Sequence, residues 1–391
     1  MTILNLGTYP PKQCGIATFS MDLRNSLLLH GNDIKIMAVS DNNYEYRYPR
    51  ELVFNLRQNQ KADYIKAAKF INASHNIELL IIQHEYGIYG GQDGEYILEL
   101  AKRLQKPFIL VTHTVLPHPI KNQKDILFSL CQRAAAIVCM TRGSAKLLEN
   151  LYEAPPELIH VIAHGVPEFA VKARQDLKRK YRLEGREIIS TFGLIGPGKG
   201  LELGIGALAT IVPEHPEVTY LILGQTHPML KKTQGEKYRT MLEELVSDLN
   251  LDDNVKFINK YLDDEELGEY LYMTDIYLSP YPNKDQAVSG TMAFAVGCGR
   301  AIVSTSYAYA QEVLAGKRGL LAEHARPEEL ADLLIMILND KKLKSQLEKK
   351  SYELGKQWTW SAVGQQYTRL FKQILNDQYI REEELLSYAR L

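Results

Sequence analysis

Two doubly wound α/β units, each built on a parallel sheet, are what this sequence predicts, and three features predict them. Apolar runs too short for helices alternate with longer amphipathic segments from one end to the other. At 391 residues the chain exceeds the size at which a single core usually stops growing, so two domains are the default. The rhythm also restarts near the middle, after a polar stretch with no strand signal.

In the first half, Ile3 to Leu6, Ile34 to Val39, Leu79 to Gln83, Phe108 to Thr112, Ala136 to Met140 and Ile159 to Ile162 read as strands. Most are almost wholly apolar, as expected of parallel strands covered on both faces. The second half repeats the pattern with Ile188 to Phe192, Thr219 to Leu223, Val255 to Ile258, Ile276 to Ser279, Ala301 to Thr305 and Gly319 to Ala322. Between them, Leu201 to Ile211, Lys237 to Asn250 and Pro327 to Leu338 carry apolar residues three and four apart, and Pro327 suits the first turn of its helix. The stretch from Pro167 to Glu187 reads as the hinge. A last helix carries the stripe Val363, Tyr367, Leu370 or Phe371 and Ile374. Periodicity alone leaves open whether it returns to the first domain or completes the second.

Composition narrows the partners. The 46 Lys and Arg balance 47 Asp and Glu, and no long basic run offers an electrostatic footprint for nucleic acid. Four scattered cysteines, Cys14, Cys131, Cys139 and Cys298, lack metal-ligand spacing, and the amino terminus lacks a leader pattern, so a reducing cytoplasm is expected. No apolar run approaches the roughly 20 residues of a membrane span. Small molecules remain as ligands.

In open α/β sheets ligands bind beyond the carboxyl ends of the strands, so the residues that follow each strand are the candidates. After the first strand, the loop from Gly7 ends on Gly15, where backbone can approach a ligand at a helix start. Gln83-His84-Glu85-Tyr86-Gly87 offers donors and acceptors suited to sugar hydroxyls, and His113 lies between Thr112 and Thr114 at the next strand end. His160 and His164 form another strand-end pair, whose expected role is structural.

In the second half, Gly193-Leu-Ile-Gly-Pro-Gly-Lys199-Gly200 links a strand to a helix. Gly193, Gly198 and Lys199 have the spacing of a phosphate-binding P-loop, but Gly200 stands where Mg²⁺ chemistry needs Ser or Thr. Asp275 begins its strand rather than ending it, so the acid an ATPase uses for Mg²⁺ is also missing. A dinucleotide enzyme is disfavoured too, because no Gly-x-Gly-x-x-Gly follows the first strand. Ser289, Gly290 and Thr291 open a later helix, whose free N–H groups favour a second phosphate. Gln286 precedes them, and Tyr307 to Glu312 follows the next strand.

The order of these features resembles the retaining GT-B glycosyltransferases of family 4. The resemblance rests on the loop near Gly15, His113, His164-Gly165-Val166, Gly193 with Lys199-Gly200, Gly299-Arg-Ala-Ile-Val-Ser304 with Glu312, and Trp358-Thr-Trp360. It implies two Rossmann-like domains facing across a cleft, the first over residues 1–168 and the second over 187–371, with a crossover helix at 372–391 returning to the first. It further implies a hexosyltransferase moving mannose or glucose from GDP-mannose or UDP-glucose to a carbohydrate hydroxyl, with retention and without cofactor or metal. His113, Lys199 and Glu85 would be catalytic. Gly193, Lys199, Gln286, Ser289, Gly290, Thr291 and Glu312 would bind the donor, and Gly15, His84, Glu85 and Tyr86 the acceptor. A homo-oligomer is left open.

The sequence departs from the family at three donor positions. Leu194 replaces an arginine, while Gln286 and Phe294 replace two glutamates eight positions apart. A glycoside phosphorylase on the same fold and a non-catalytic sugar-binding subunit are the alternatives these departures raise.

Overall fold

The computed structural model describes residues 1–41 and 46–388, with side chains to residue 380. Contacts divide the chain into two units, Met1–Gly165 with Trp360–Leu391, and Val166–Thr359. Unit 1 carries a seven-stranded sheet of β1 (Thr2–Gly7), β2 (Asp33–Ser40), β3 (Leu52–Arg57), β4 (Leu79–His84), β5 (Phe108–Thr112), β6 (Ala136–Cys139) and β7 (Ile159–Val161), in the order β3-β2-β1-β4-β5-β6-β7. Every pairing is parallel. All six residues of β4 are buried, as a central parallel strand with helices on both faces requires. Each such Leu or Ile contributes about 1.5–3 kcal/mol through burial.

Strand β3 was absent from the sequence reading. It lies at the sheet edge, where alternate residues face solvent, so it lacks the continuous apolar run of its neighbours.

Unit 2 carries β8 (Glu187–Phe192), β9 (Val218–Leu223), β10 (Val255–Ile258), β11 (Ile276–Ser279), β12 (Ala301–Thr305) and β13 (Leu320–Ala322) in the order β10-β9-β8-β11-β12-β13, again all parallel. Two parallel-sheet Rossmann-like units are therefore present. In each, the strand order reverses beside the unit's first strand, at β1/β4 and at β8/β11. These switch points are where such sheets bind ligands.

The domain limits differ from the expected ones. The segment read as a hinge contains a helix, Arg174–Lys180, and belongs to unit 2. Its Lys178 is buried against Asp275 at 2.6 Å, an ion pair that a free linker would not make. The returning helix begins at Trp360 rather than 372 and runs to Tyr388, and residues 389–391 lie outside the described ones. It packs on the helix Gly15–Leu29: Ser26 donates to the Trp360 carbonyl, and Asn32 Nδ2 donates to Thr368 Oγ1 at 2.8 Å. A Cβ at Gly364 would fall 2.0 Å from Ser26 Oγ, so glycine sets how closely the two helices approach.

No helix among the described residues is long and apolar enough to cross a membrane.

Candidate functional site

In unit 2 the predicted phosphate loop and the later helix start come together beyond β8 and β11. Gly193 follows β8 with φ 127°, a backbone conformation that side-chain-bearing residues avoid. A Cβ there would lie 3.2 Å from Thr291 Cγ2 and 3.3 Å from Lys199 Nζ, so both side chains converge on it. Lys199 Nζ donates to the Tyr281 hydroxyl and stands 4.6 Å from that ring's centroid. The Tyr281 hydroxyl bonds Thr291 Oγ1 at 2.8 Å, and Thr291 Oγ1 lies 3.2 Å from Ser289 Oγ. Ser289 caps the helix Gly290–Gly297, its Oγ accepting from the Met292 N–H.

Gly200 explains the missing P-loop hydroxyl sterically. Its φ is 61°, and a Cβ would sit 2.1 Å from the Pro280 carbonyl oxygen. No serine or threonine fits at this position, so the loop is excluded from Walker-type Mg²⁺ binding by its packing as well as by its sequence.

Three residues here escaped the sequence reading. Tyr281 sits between Pro280 and Pro282 just beyond β11. Gly224 has φ 139°, and a Cβ there would be 2.0 Å from the Gly193 carbonyl oxygen, so the two glycines pack backbone to backbone. His227 follows β9 and donates its N–H to the Ile195 carbonyl. Its pKa is lowered by burial and then by the charge of Lys199. A strand-end glycine followed by a histidine was the available signal.

The remaining donor candidates are less central. Gln286 turns its amide onto the Val288 carbonyl at 2.8 Å, closing its own loop. The helix Ala308–Val313, which carries Glu312, is tied to that loop by Tyr309 N–H to the Gln286 carbonyl at 3.1 Å. Phe294 is buried, its ring 5.8 Å from Phe192 and 6.1 Å from Phe169. Leu194 is half-buried.

In unit 1, Gln83 and His113 form the centre. His113 Nε2 lies 2.8 Å from Gln83 Oε1, and Gln83 Nε2 donates to Asn5 Oδ1 at 2.9 Å. A carbonyl oxygen only accepts, so His113 carries its proton on Nε2 and keeps a lone pair on Nδ1. Gly7 makes room for this arrangement, since a Cβ there would be 2.9 Å from Gln83 Cβ. Phe19 stands edge-on to His113 at 4.8 Å, His164 at 5.2 Å and Trp360 at 5.1 Å. Burial, then the neighbouring His164 and His84, lowers the His113 pKa to about 3. Burial brings His84 and His164 each to about 4. All three are neutral at pH 7.

Glu85 joins two of the predicted clusters. Its carboxylate accepts from the Thr114 hydroxyl and from the Tyr86 N–H at 3.0 Å, while burial raises its pKa against those bonds. Gly15 begins its helix behind Cys14, whose Sγ accepts from Ala17 N–H, and the direction of its absent Cβ is open space. Two of the acceptor-side candidates are buried. Tyr86 is buried with its hydroxyl 3.5 Å from the Gln123 carbonyl, and His84 is 1% exposed with its ring edge-on to Tyr86 at 4.9 Å. Both fill the interior of unit 1. Among the described residues, no group of three or more His, Cys, Asp or Glu could hold a metal ion.

Comparison with known proteins matches this geometry to one family. Residues 173–354 match the family profile described as Glycosyl transferases group 1, and residues 14–168 match Glycosyltransferase Family 4. D-inositol 3-phosphate glycosyltransferase of Jonesia denitrificans is 28% identical over 241 residues, 59% of this chain and 54% of that protein. The chain thus spans little more than half the length of this curated relative. Among solved structures, sucrose-phosphate synthase from Thermosynechococcus elongatus superposes with a TM-score of 0.79 at 16% identity, covering 96% of this chain and all of that one (100%). HepE of Anabaena in complex with UDP and glucose gives 0.74 at 16% identity, covering 95% of this chain and 100% of that one.

Proposed function

Because the chain belongs to the family 4 GT-B glycosyltransferases, we propose that it transfers a hexose from a nucleoside diphosphate sugar to a carbohydrate hydroxyl. The observation that carries this reading is the meeting of Lys199 and Thr291 beside Gly193 at the unit 2 switch point, with Tyr281 and Ser289 joined to them by hydrogen bonds. A cation, hydroxyls and a helix start with free N–H groups, gathered beside a glycine, suit a diphosphate. UDP-glucose and GDP-mannose are the donors proposed; the solved HepE complex contains UDP and glucose.

In the transfer, the bond from the sugar C1 to the diphosphate oxygen breaks and its electron pair leaves with the diphosphate. The acceptor hydroxyl oxygen forms the new bond to C1. Lys199 and the N–H groups opening the helix Gly290–Gly297 stabilise the charge developing on the leaving group, so this preorganised field supplies the largest part of the rate. His113, with a pKa of about 3, is too weak a base to take the acceptor proton at pH 7. It serves as a neutral hydrogen-bonding group, and the proton goes to the departing diphosphate oxygen, in keeping with retention. Glu85 and the open backbone at Gly15 are the groups assigned to the acceptor. The charge at the leaving group comes from Lys199, so the proposed chemistry uses no cofactor.

Phe294 favours a second reading. A ring packed between Phe192 and Phe169 cannot accept a ribose hydrogen bond, and a glycoside phosphorylase using inorganic phosphate would not need one. Incubation with a panel of nucleotide sugars, reading diphosphate release, tests the proposal. Release from UDP-glucose or GDP-mannose in the presence of an acceptor supports it. Sugar 1-phosphate formation that depends on phosphate would favour the phosphorylase, and binding without turnover would favour a sugar-binding subunit.

A further inference from the structure

We propose that Tyr281 is the residue that positions Lys199 for the anion, an inference that rests on reading the unit 2 cluster as a diphosphate site. Lys199 ends a three-residue turn, Pro197–Lys199, with Gly196 and Gly198 before it and Gly200 after it. A lysine on such a loop has many accessible rotamers and would ordinarily extend into water. Here two contacts hold its ammonium: the hydrogen bond to the Tyr281 hydroxyl and the face of the Tyr281 ring.

Tyr281 is itself fixed from every side. Its ring stacks on Tyr307 at 5.2 Å with 16° between the planes. Pro280 and Pro282 restrict the backbone on either side, and Thr305 donates its hydroxyl to the Tyr281 carbonyl. The tyrosine is 5% exposed, so the lysine is anchored to the core of the unit rather than to another mobile side chain.

The hydrogen-bond directions follow from the donor inventory. An ammonium only donates, so the Tyr281 oxygen accepts from Lys199 and its own proton goes to Thr291 Oγ1. Thr291 then donates to Ser289 Oγ, which also accepts from Met292 N–H. The chain Lys199 to Tyr281 to Thr291 to Ser289 thus leaves N–H groups of the Lys199 ammonium to spare. These present donors to an anion, and such a chain polarises cooperatively. Burial alone would raise the Tyr281 pKa; the charge of Lys199 and its hydrogen bond, together with hydrogen bonding to the Thr291 and Ser289 hydroxyls, bring it below the ordinary value instead.

Three variants in one assay decide the matter, read by turnover of UDP-glucose and GDP-mannose and by calorimetric binding of pyrophosphate. Tyr281→Phe keeps the ring and its stack but releases the lysine. Its kcat should fall on the order of 10–100-fold, the scale of a misplaced catalytic group, and pyrophosphate should bind more weakly. Tyr220→Phe removes another buried tyrosine hydroxyl of unit 2, bonded to Thr191 Oγ1 at 2.8 Å and without contact to Lys199, and should leave both readouts within about twofold even where it lowers stability. Equal losses in Tyr281→Phe and Tyr220→Phe, or no loss in Tyr281→Phe while Lys199→Ala is inactive, would overturn the positioning role alone. Unchanged turnover and pyrophosphate binding in Lys199→Ala would instead remove the diphosphate site.

Discussion

Units 1 and 2 wind their sheets in the same order about their switch points, yet the groups placed beyond those strands have opposite electrostatic character. In unit 1 the centre is neutral: Asn5, Gln83 and His113 form a buried amide–imidazole chain, with His84 and His164 also uncharged. In unit 2 it is cationic, with Lys199 held over Tyr281 beside two glycines that clear the backbone. Nearby, the Glu85 carboxylate is already bonded twice. One type of sheet therefore carries a buried neutral chain drawn from β1, β4 and the end of β5 in one unit, and a cationic cluster drawn from loops and a helix start in the other.

The largest effect that would break this contrast is on turnover. Lys199→Ala should reduce kcat by about 10²–10³-fold, the loss typical of one preorganised charge-stabilising donor, while unit 1 keeps its fold by circular dichroism. A comparable loss in pyrophosphate binding from His113→Gln would place the anion site in the wrong unit.

Next comes the glycine that shapes the cation's loop. Gly200→Ser, which supplies the hydroxyl a P-loop would have, forces a Cβ towards the Pro280 carbonyl at a positive φ. It should cost about 2–3 kcal/mol through strain and overpacking and gain no ATPase activity. Chemical denaturation and phosphate release measure the two outcomes.

Acid should then separate the units. Each of the three histidines has a folded pKa below its ordinary 6.5, so the unfolded chain binds the extra protons. Stability from these groups is complete above 6.5 and is lost as pH falls from there towards about 4, by at most about 1.4 kcal/mol per group per pH unit. In unit 2, Asp275 is buried, yet Lys344, Arg174 and Lys178 overcome that cost and hold it well below the usual carboxylate range. Its contribution is retained above the ordinary carboxylate value and lost only as pH falls through the depressed one. Hydrogen exchange at pH 5 should therefore show β5 losing protection before β8 and β11. The reverse order would show that the neutral histidines are not what makes unit 1 acid-sensitive.

The smallest effect concerns the histidine's tautomer. Gln83→Leu leaves Asn5 Oδ1 and His113 Nε2 without this buried partner and should destabilise unit 1 by about 1–3 kcal/mol. The imidazole nitrogen shifts in NMR should change from a single tautomer to a mixture.

Much of this was legible in the chain. The buried strands announce themselves as short apolar runs, since a parallel strand covered on both faces has no polar face to show; edge strand β3 does have one and went unseen. Gly193, Lys199, Ser289 and Thr291 were visible because glycines and helix caps near strand ends have local geometric causes. Tyr281 was not visible, nor was the pairing of Gln83 with His113, because the partners lie 82 and 30 positions apart and nothing in the adjoining sequence marks the meeting.

The sequence by itself determined two α/β units, a phosphate-type loop and the absence of a Walker hydroxyl, since strand periodicity, glycine placement and residue identity are local properties. The tertiary structure alone decided which residues share a site. It paired Lys199 with a buried tyrosine, fixed the His113 proton through an amide, turned Tyr86 and His84 inward, and gave the last helix from Trp360 to unit 1. Those outcomes depend on which strands become neighbours at the switch points, and that is settled only when the whole chain packs.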